Sequence, residues 1–399
     1  MPKRTGEGLG GLMNFDENID RKNTRSLKWD GMKNLFGRED LLPMWVADMD
    51  FRPPKEVIAA LKERVDHGIF GYTIVTESLS EAICDWTSTR HNWNVKPEWL
   101  LYSPGVIPSI HTVIQAFTEP GDKILVQSPV YTPFFHMIER NSREVVNSPL
   151  ILKNGRYVID FDDFEKKLRD GVKIFILSSP HNPAGRVWEK EELTTIAELC
   201  KKYDVLIASD EIHADLVPAP YKHVPIASLD ESFADITITF MAPTKTFNLA
   251  GVQASFMVVP NKSRRSKIAA IQASDGFSML NTFGAIAMEA AYRHGSAWLD
   301  QALNYIQTNI EYVKKEVGTH LPDLKVIDPE GTYLIWIDCR KLGLSDAELK
   351  KRILEKGELA LNFGHAYGPG GEGFVRMNVA CPKATVIEGV KRLRMALGE

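Results

Sequence analysis

The stretch ITITFMAPTKTFNLAG, residues 236–251, is an apolar run that ends abruptly in a polar loop with a single lysine, Lys245. An apolar run without alternation is typical of a strand covered on both faces, as in the parallel sheets of α/β proteins. Three earlier runs end in the same way: LLYSPG at 100–105, VKIFILSSP at 172–180 and VLIASDE at 205–211. Ligands of α/β proteins bind at the carboxyl ends of such strands.

Amphipathic helices are predicted between these runs. The segment EKEELTTIAELCKKY has apolar residues at helical spacing, and it stands between two of the apolar runs. The alternation predicts an α/β large domain with a mostly parallel central sheet flanked by helices. Beyond about residue 285 the strands and helices pair differently, and we expect a smaller α+β domain there. An earlier segment, MWVADMD at 44–50, is predicted to be a short strand running into acidic residues.

Composition excludes several classes of protein. Lys and Arg number 48 and Asp and Glu 52, so the net charge is −4 and no general attraction to nucleic acid or to an anionic membrane is expected. No apolar run approaches the roughly 20 residues that span a bilayer. The ten histidines show no metal-binding spacing, so we expect no metal. The four cysteines stand far apart, which indicates reduced thiols and a cytoplasmic location.

Polar residues follow three of the apolar runs and are candidates for a common site. They are Asn182 in the sequence N-P-A-G, Asp210 in D-E-I-H, and Lys245. Taken singly, Asn182 fits a turn, Asp210 fits a loop cap and Lys245 fits a solvated surface lysine. Their shared position after buried strands favours an active site instead.

These motifs resemble those of fold-type I pyridoxal-phosphate (PLP) enzymes of the class I/II aminotransferase group. The matching sequences are N-P-x-G at 182–185, D-E-x-H at 210–213 and T-K-T-F-N-L-A-G at 244–251. The resemblance extends from about residue 30 to the end of the chain. It implies the PLP-dependent transferase fold with PLP as cofactor, a large domain at 49–288, and a small domain formed by 1–48 and 289–399.

The resemblance also implies roles for residues that would hold the cofactor. Lys245 would carry PLP as a Schiff base, and Asp210 would keep the pyridine nitrogen protonated. Asn182 and His213 would donate to the phenolate oxygen, although many relatives have tyrosine in place of His213. Tyr131 would stack on the ring. The phosphate would be bound by Val106 and Ile107 at a helix start, with Thr244 as a further donor.

Further residues are implied at the substrate and at a second subunit. Arg376 would bind the substrate α-carboxylate, for which a planar guanidinium is well suited, and Asn362 is a candidate pocket residue. Tyr72 would reach the phosphate in the neighbouring subunit and is also a candidate substrate-binding residue there, which implies a homodimer with shared sites. Gln253 stands where aminotransferases usually have a phosphate-binding arginine, and Ala242 where they favour serine. This departure places the aminotransferase assignment in question.

The cofactor alone leaves transamination, elimination, racemisation and decarboxylation open. MWVADMDF at 44–51, with SDEIHADL and APTKTFNLAGVQ, resembles the cystathionine β-lyase-like C–S lyases, a branch related to the maltose-regulon modulator. This implies β-elimination of cystathionine or another cysteine S-conjugate to pyruvate, ammonia and a thiol, with Lys245 as the base. Two alternatives remain: a class I/II aminotransferase acting on an amino acid and a 2-oxo acid, and a PLP-binding protein with an added regulatory partner.

Overall fold

The computed structural model of the protein describes residues 13–277 and 279–398. The α-helices in this part of the chain are α1 (Leu27–Asp30), α2 (Met32–Phe36), α3 (Lys55–His67), α4 (Glu77–His91), α5 (Val106–Phe117), α6 (Pro133–Arg140), α7 (Phe161–Arg169), α8 (Lys190–Lys202), α9 (Glu231–Asp235), α10 (Pro243–Thr246), α11 (Lys262–Ser274), α12 (Thr282–His294), α13 (Ser296–His320), α14 (Asp346–Glu355) and α15 (Lys383–Leu397).

The strands are β1 (Leu42–Pro43), β2 (Leu100–Ser103), β3 (Lys123–Val126), β4 (Glu144–Asn147), β5 (Ile151–Lys153), β6 (Arg156–Val158), β7 (Val172–Ser178), β8 (Leu206–Asp210), β9 (Thr237–Met241), β10 (Ser255–Val258), β11 (Lys325–Val326), β12 (Leu334–Asp338), β13 (Leu359–Ala360), β14 (Asn362–Phe363) and β15 (Phe374–Asn378).

The central sheet has seven strands in the order β2-β10-β9-β8-β7-β3-β4. The strands from β9 to β4 are parallel to their neighbours, whereas β10 is antiparallel to both β9 and β2. Every residue of β8 and β9 is buried, because helices cover both faces of the sheet. The predicted α/β fold with a mostly parallel central sheet is therefore confirmed.

The sheet brings the candidate motifs to one edge. Strands β7, β8 and β9 are parallel, so the residues after Ser178, Asp210 and Met241 all lie at the same end. Strand β2 points the same way, because two antiparallel pairings separate it from β9. The loop from β2 into α5 therefore meets the other three loops at this edge.

A second sheet is formed by the C-terminal part of the chain, in the order β11-β12-β15-β14, with all its neighbours antiparallel. Strand β1 lies beside it, where Leu42 is paired with Leu359 in the parallel strand β13. The pairing joins the N-terminal part of the chain to the C-terminal part. On this ground we propose the domain division at 49–288 against 1–48 with 289–399; residues 1–12, 278 and 399 of those ranges lie outside the described residues.

The segment at 44–50 is not a strand, and that prediction was wrong. Regular pairing stops at Pro43, and the backbone beyond it is bound mainly by side chains. The Asn378 amide donates to the carbonyls of Val46 (2.6 Å) and Asp48 (2.5 Å). The side chain of Asn248 accepts a hydrogen bond from the backbone N–H of Met49 at 2.9 Å. These bonds replace a strand ladder, so the apolar pattern reflects burial of an irregular segment.

Candidate active site

A cavity of about 200 Å³ lies at the carboxyl edge of the central sheet. Seven of the residues that the sequence singled out line it, namely Val106, Ile107, Tyr131, Asn182, Asp210, His213 and Lys245. Ala47, Gly105, Pro108, Ser178 and Ile212 complete the lining. The structure therefore brings residues from the carboxyl ends of five strands, β2, β3, β7, β8 and β9, around one small space, together with the irregular segment that contains Ala47.

Asp210 ends β8 with its carboxylate at this cavity. The side chain is buried and accepts a hydrogen bond from the backbone N–H of Ile212 at 3.1 Å. Burial is the largest influence on its ionisation and raises its pKa to about 7, against the opposing effects of that N–H and of the Lys245 charge. A cationic group placed against this carboxylate would restore its charged form.

Lys245 lies in α10, the short helix that follows β9. Its Nζ donates a hydrogen bond of 2.6 Å to the carbonyl oxygen of Ala47. Burial of the amine, followed by the positive charge of Arg376, lowers its pKa to about 8, while Asp48 and Asp210 act in the opposite direction. A larger fraction of this amine is therefore neutral near physiological pH than for an ordinary lysine, as a nucleophile or base requires.

Arg376 is buried in β15 and is fixed by several partners. Its Nη1 donates to Asn182 Oδ1 at 2.9 Å, and its Nη2 donates to Asn362 Oδ1 at 2.6 Å and to the carbonyl of Trp45 at 3.0 Å. The guanidinium also lies 5.3 Å from the centre of the Tyr367 ring. Arg376 and Asn362 are thus adjacent to Asn182, although they do not line the cavity itself.

Unpartnered polar atoms and free backbone N–H groups show that the site fits a polar group that carries an anion. Among residues 13–277 and 279–398, the buried His213 Nδ1 and Arg376 Nε have no hydrogen-bond partner. Burial, with Lys245 and Arg376 nearby, lowers the pKa of His213 to about 3, so its ring is neutral. Helix α5 begins after Gly105 without a side-chain cap, which leaves the N–H groups of Val106 and Ile107 available to a phosphate.

Three residues discussed at the sequence level lie elsewhere. Thr244 precedes Lys245 in α10 but does not line the cavity. Tyr72 is 96% exposed, away from the cavity of its own chain. Gln253 is exposed and has a left-handed backbone (φ 51°), so its side chain does not take the place of the usual arginine in this cavity.

The backbone carbonyl of Ala47 and the side chain of Tyr333 take part in the site without any signal in the sequence. The Tyr333 hydroxyl donates to the Ala47 carbonyl at 3.0 Å, so this oxygen accepts from both Tyr333 and Lys245. A carbonyl leaves no signal in the sequence, because any residue supplies one. The apolar pattern at 44–50 predicts only a strand, and resemblance to the C–S lyases alone points to a function for the segment at 44–51.

A buried ionic cluster holds this segment in place. The side chain of Lys28 is only 1% exposed, and its Nζ lies 2.6 Å from Asp50 Oδ2. Arg21 lies 2.7 Å from Asp50 and forms two hydrogen bonds with Asp48. Two carboxylates on either side of Met49 are thus bound by two cations from the N-terminal arm, which fixes the backbone close to Ala47.

Comparison with known proteins identifies the family. Residues 39–393 match the profile of the family described as aminotransferase class I and II. The match includes β1 to β15 and each of the loops at the cavity. The chain belongs to this family, as the sequence motifs predicted.

Individual proteins of this family are similar to the chain over nearly its whole length. Cystathionine beta-lyase PatB of Bacillus subtilis (strain 168) is 50% identical over 96% of this chain and 100% of its own length. Protein MalY of Escherichia coli (strain K12) is 33% identical over 97% and 99%. A PLP-bound putative aminotransferase from Clostridium difficile 630 has a TM-score of 0.96 at 45% identity, over 97% of this chain and all of that one.

Proposed function

We propose that the protein is a PLP-dependent C–S lyase that cleaves cystathionine or a related cysteine S-conjugate by β-elimination to pyruvate, ammonia and a thiol. The proposal rests on one observation above all: the Lys245 amine, with its lowered pKa, lies in the same small cavity as Asp210 and Asn182. The 50% identity to a cystathionine β-lyase supports this reaction.

The cavity residues would hold the cofactor from every side. PLP, when bound, supplies an electron sink that stabilises negative charge at the substrate Cα. Asp210 would pair with its ring nitrogen, and Asn182 and His213 would donate to its phenolate oxygen. Tyr131 would stack on its ring. The N–H groups of Val106 and Ile107 would bind the phosphate, with Thr244 as an outer donor.

Substrate would be oriented by Arg376. Its guanidinium would bind the α-carboxylate, with the free Nε as one donor. Asn182 and Asn362 hold the guanidinium through Nη1 and Nη2 respectively, so its plane is fixed before substrate binds. The guanidinium of Arg376 is therefore already oriented before substrate binds, so that binding costs less conformational entropy of this side chain.

The proton transfer is assigned to Lys245. Its neutral amine would accept the proton from the substrate Cα, after which the C–S bond breaks and its electron pair leaves on sulfur. The protonated Lys245 amine would return that proton to the thiolate, and the released 2-aminoacrylate would take up water to give pyruvate and ammonia. Ala47 would hold the amine through its carbonyl oxygen, with Tyr333 binding the same oxygen.

We also propose that the protein is a homodimer. Tyr72 lies in an exposed stretch with several large apolar residues, including Ile69, Phe70 and Ile74. Such a patch favours burial against another protein surface, and a second copy would bring Tyr72 to the cavity of its partner.

We infer a cytoplasmic location because Cys84, Cys200, Cys339 and Cys381 are all unpaired. None of the described helices is long and apolar enough to cross a membrane.

Borohydride reduction and a substrate panel would test the function. We expect reduction to fix the cofactor on Lys245, as shown by peptide mass mapping, and cystathionine to yield pyruvate and thiol without any added acceptor. Lys245→Ala is the control and should do neither. An enzyme that forms no pyruvate from cystathionine or cystine but converts alanine with 2-oxoglutarate would be an aminotransferase instead, as the name of the Clostridium difficile relative suggests.

A further inference from the structure

A second set of buried polar groups lies behind the cavity, around Asp215. One carboxylate oxygen, Oδ2, accepts a hydrogen bond from the Thr246 hydroxyl at 2.7 Å. The other, Oδ1, accepts from Trp86 Nε1 at 2.9 Å and lies 2.8 Å from His91 Nε2. The side chains of Asp215 and His91 are each 4% exposed, and Thr246 is fully buried. This carboxylate therefore joins α4 to α10.

Helix α10 needs such support because it has only four residues, Pro243–Thr246. A single turn does not hold its own geometry in water. The side chain of Lys245 lines the cavity, while that of Thr246 binds Asp215. The next residue, Phe247, packs against Trp86 with ring centres 5.5 Å apart. The residues that follow Lys245 are thus anchored to a different part of the large domain.

We propose that Asp215 is a positioning residue for Lys245 and acts through the Thr246 hydroxyl. The proposal rests on the proposed function, since it concerns the lysine that would bind PLP. A hydroxyl bound to an ionised carboxylate is held more firmly than one bound to a neutral acceptor. Burial alone would raise the pKa of Asp215, but the hydrogen bonds from His91, Thr246 and Trp86 outweigh it and lower that pKa, which keeps the carboxylate ionised.

A second carboxylate–histidine pair, similar to that of Asp215 and His91, supports the loop that carries Asp210. Glu211 Oε2 lies 2.7 Å from His223 Nε2, with both side chains buried, and Glu211 also accepts from the Ser209 hydroxyl at 2.9 Å. The rings of His91 and His223 meet edge to face with centres 5.5 Å apart. Asp210 is therefore followed directly by a buried carboxylate, that of Glu211, whereas Lys245 is followed by a hydroxyl, that of Thr246, which a buried carboxylate binds. Both groups that would contact the cofactor are positioned from behind the cavity.

Substitution of Thr246 tests the role without removing a buried charge. Thr246→Val keeps the shape and loses the hydroxyl, and Thr246→Ser restores the hydroxyl. Thr237→Val is the matched control, because the Thr237 hydroxyl is also buried and donates a 2.7 Å hydrogen bond, to the Phe233 carbonyl, away from Lys245. Each holoprotein is assayed for turnover of cystathionine, for thermal unfolding and for the pH midpoint of the visible absorbance of the lysine-bound cofactor.

We expect Thr246→Val to lower kcat about tenfold with KM within about twofold, and to move the absorbance midpoint by about half a pH unit. Thr246→Ser should return both to the wild-type values. Thr237→Val should lose thermal stability without changing either. An unchanged midpoint and kcat in Thr246→Val, or an equal change in Thr237→Val, would overturn the positioning role.

The absorbance readout separates this inference from the proposed function. It requires only cofactor on Lys245, not a particular substrate. A wild-type protein with a normal titration but no pyruvate formation would contradict the lyase assignment alone, and the positioning role would then be judged from the midpoint. A wild-type protein with no lysine-bound cofactor would overturn both.

Discussion

The amide oxygen of Asn182 accepts a hydrogen bond of 2.9 Å from Nη1 of Arg376, and this contact joins two residues 194 positions apart. Asn182 follows strand β7 of the central sheet, whereas Arg376 belongs to strand β15 of the second sheet. Since the oxygen is committed to the guanidinium, the Asn182 NH₂ group is the part left to donate into the cavity. One side chain thus connects the proposed cofactor site to the proposed carboxylate site.

Replacing this side chain should therefore affect two steps at once. We expect Asn182→Ala to lower kcat/KM by about 100-fold, because cofactor donor and guanidinium support are lost together. Asn362→Ala removes only a partner of Arg376 and should raise KM several-fold with little change in kcat. Steady-state pyruvate formation distinguishes the two variants. Equal effects on KM and kcat in both variants would contradict the dual role of Asn182.

Asp210 should reduce the stability of the cofactor-free protein. Its pKa is raised to about 7 in the folded state, so between pH 4 and 7 the folded protein keeps a proton that the unfolded chain has released. Stability contributed by this group therefore falls as pH rises through that interval, by up to about 4 kcal/mol. Asp210→Asn should be more stable than wild type above pH 7 and equal to it below about pH 4.

Urea unfolding of both cofactor-free proteins across that pH range would measure the difference. With cofactor present the ranking of activity should be the reverse of the ranking of stability, because Asn cannot keep the ring nitrogen protonated. We expect turnover to fall by at least about 100-fold in Asp210→Asn. Identical pH slopes in the two cofactor-free proteins would contradict the assignment.

The Lys245 amine should react at unusually low pH in the cofactor-free protein. Burial and the Arg376 charge lower its pKa to about 8, so acylation followed by mass mapping should be half-maximal near pH 8. Arg376→Gln should move this midpoint upward, because a cation is removed. Asp48→Asn should move it downward, because the carboxylate opposes the shift. A midpoint close to 10.5 in the wild-type protein would refute the environment described for the amine.

The buried ionic cluster predicts a strong effect of Lys28. Lys28→Met leaves Asp50 buried with Arg21 as its remaining cationic partner, and we expect a loss of about 3 kcal/mol in the free energy of unfolding. Activity should fall as well, because the segment that holds the Ala47 carbonyl loosens. Lys33→Met is the control: its ion pair with Glu39 is exposed, and neither stability nor activity should change measurably. A Lys28→Met protein as stable as wild type would show that the cluster is not needed.

Sharing of sites between subunits can be tested by complementation. Tyr72→Ala and Lys245→Ala chains should each be inactive or strongly impaired as pure dimers. A mixed dimer would contain one intact site, with Lys245 from one chain and Tyr72 from the other. Co-expressed chains should regain about a quarter of wild-type activity, since half the dimers are mixed and each has one working site. Verified mixed dimers without activity would contradict the shared site.

The sequence predicts those parts of the fold in which burial leaves a continuous pattern. Strands β7, β8 and β9 are apolar runs because helices cover both faces, and the alternation with helices follows from the chain itself. Strand β4 lies at the edge of the sheet, and none of its residues is fully buried, so it left no such pattern. The strand predicted at 44–50 was wrong, because a buried segment without strand pairing has the same apolar sequence pattern as a buried strand.

The candidate site was predictable to the extent that each residue follows a strand. Asp210, Asn182 and Lys245 meet because parallel strands end at one edge, which needs no knowledge of distant contacts. The carbonyl of Ala47 and the support of Thr246 by Asp215 depend on tertiary contacts between residues far apart in sequence. No local spacing records such contacts, so only the structure brings them to light.

Helix α4 has a consequence for how two active sites would work together. It starts directly after the exposed stretch that includes Tyr72, and its last two turns contain Trp86 and His91, which bind Asp215. Fifteen residues of helix form a stiff rod about 22 Å long. In a dimer of the proposed arrangement, the stretch that precedes the rod would place Tyr72 in the neighbour's active site, and the far end of the rod would brace the chain's own lysine. Substrate bound in one active site would then alter the position of Lys245 in the other. A dimer with substrate in only one site would therefore turn over at a rate different from half the rate of the fully occupied dimer.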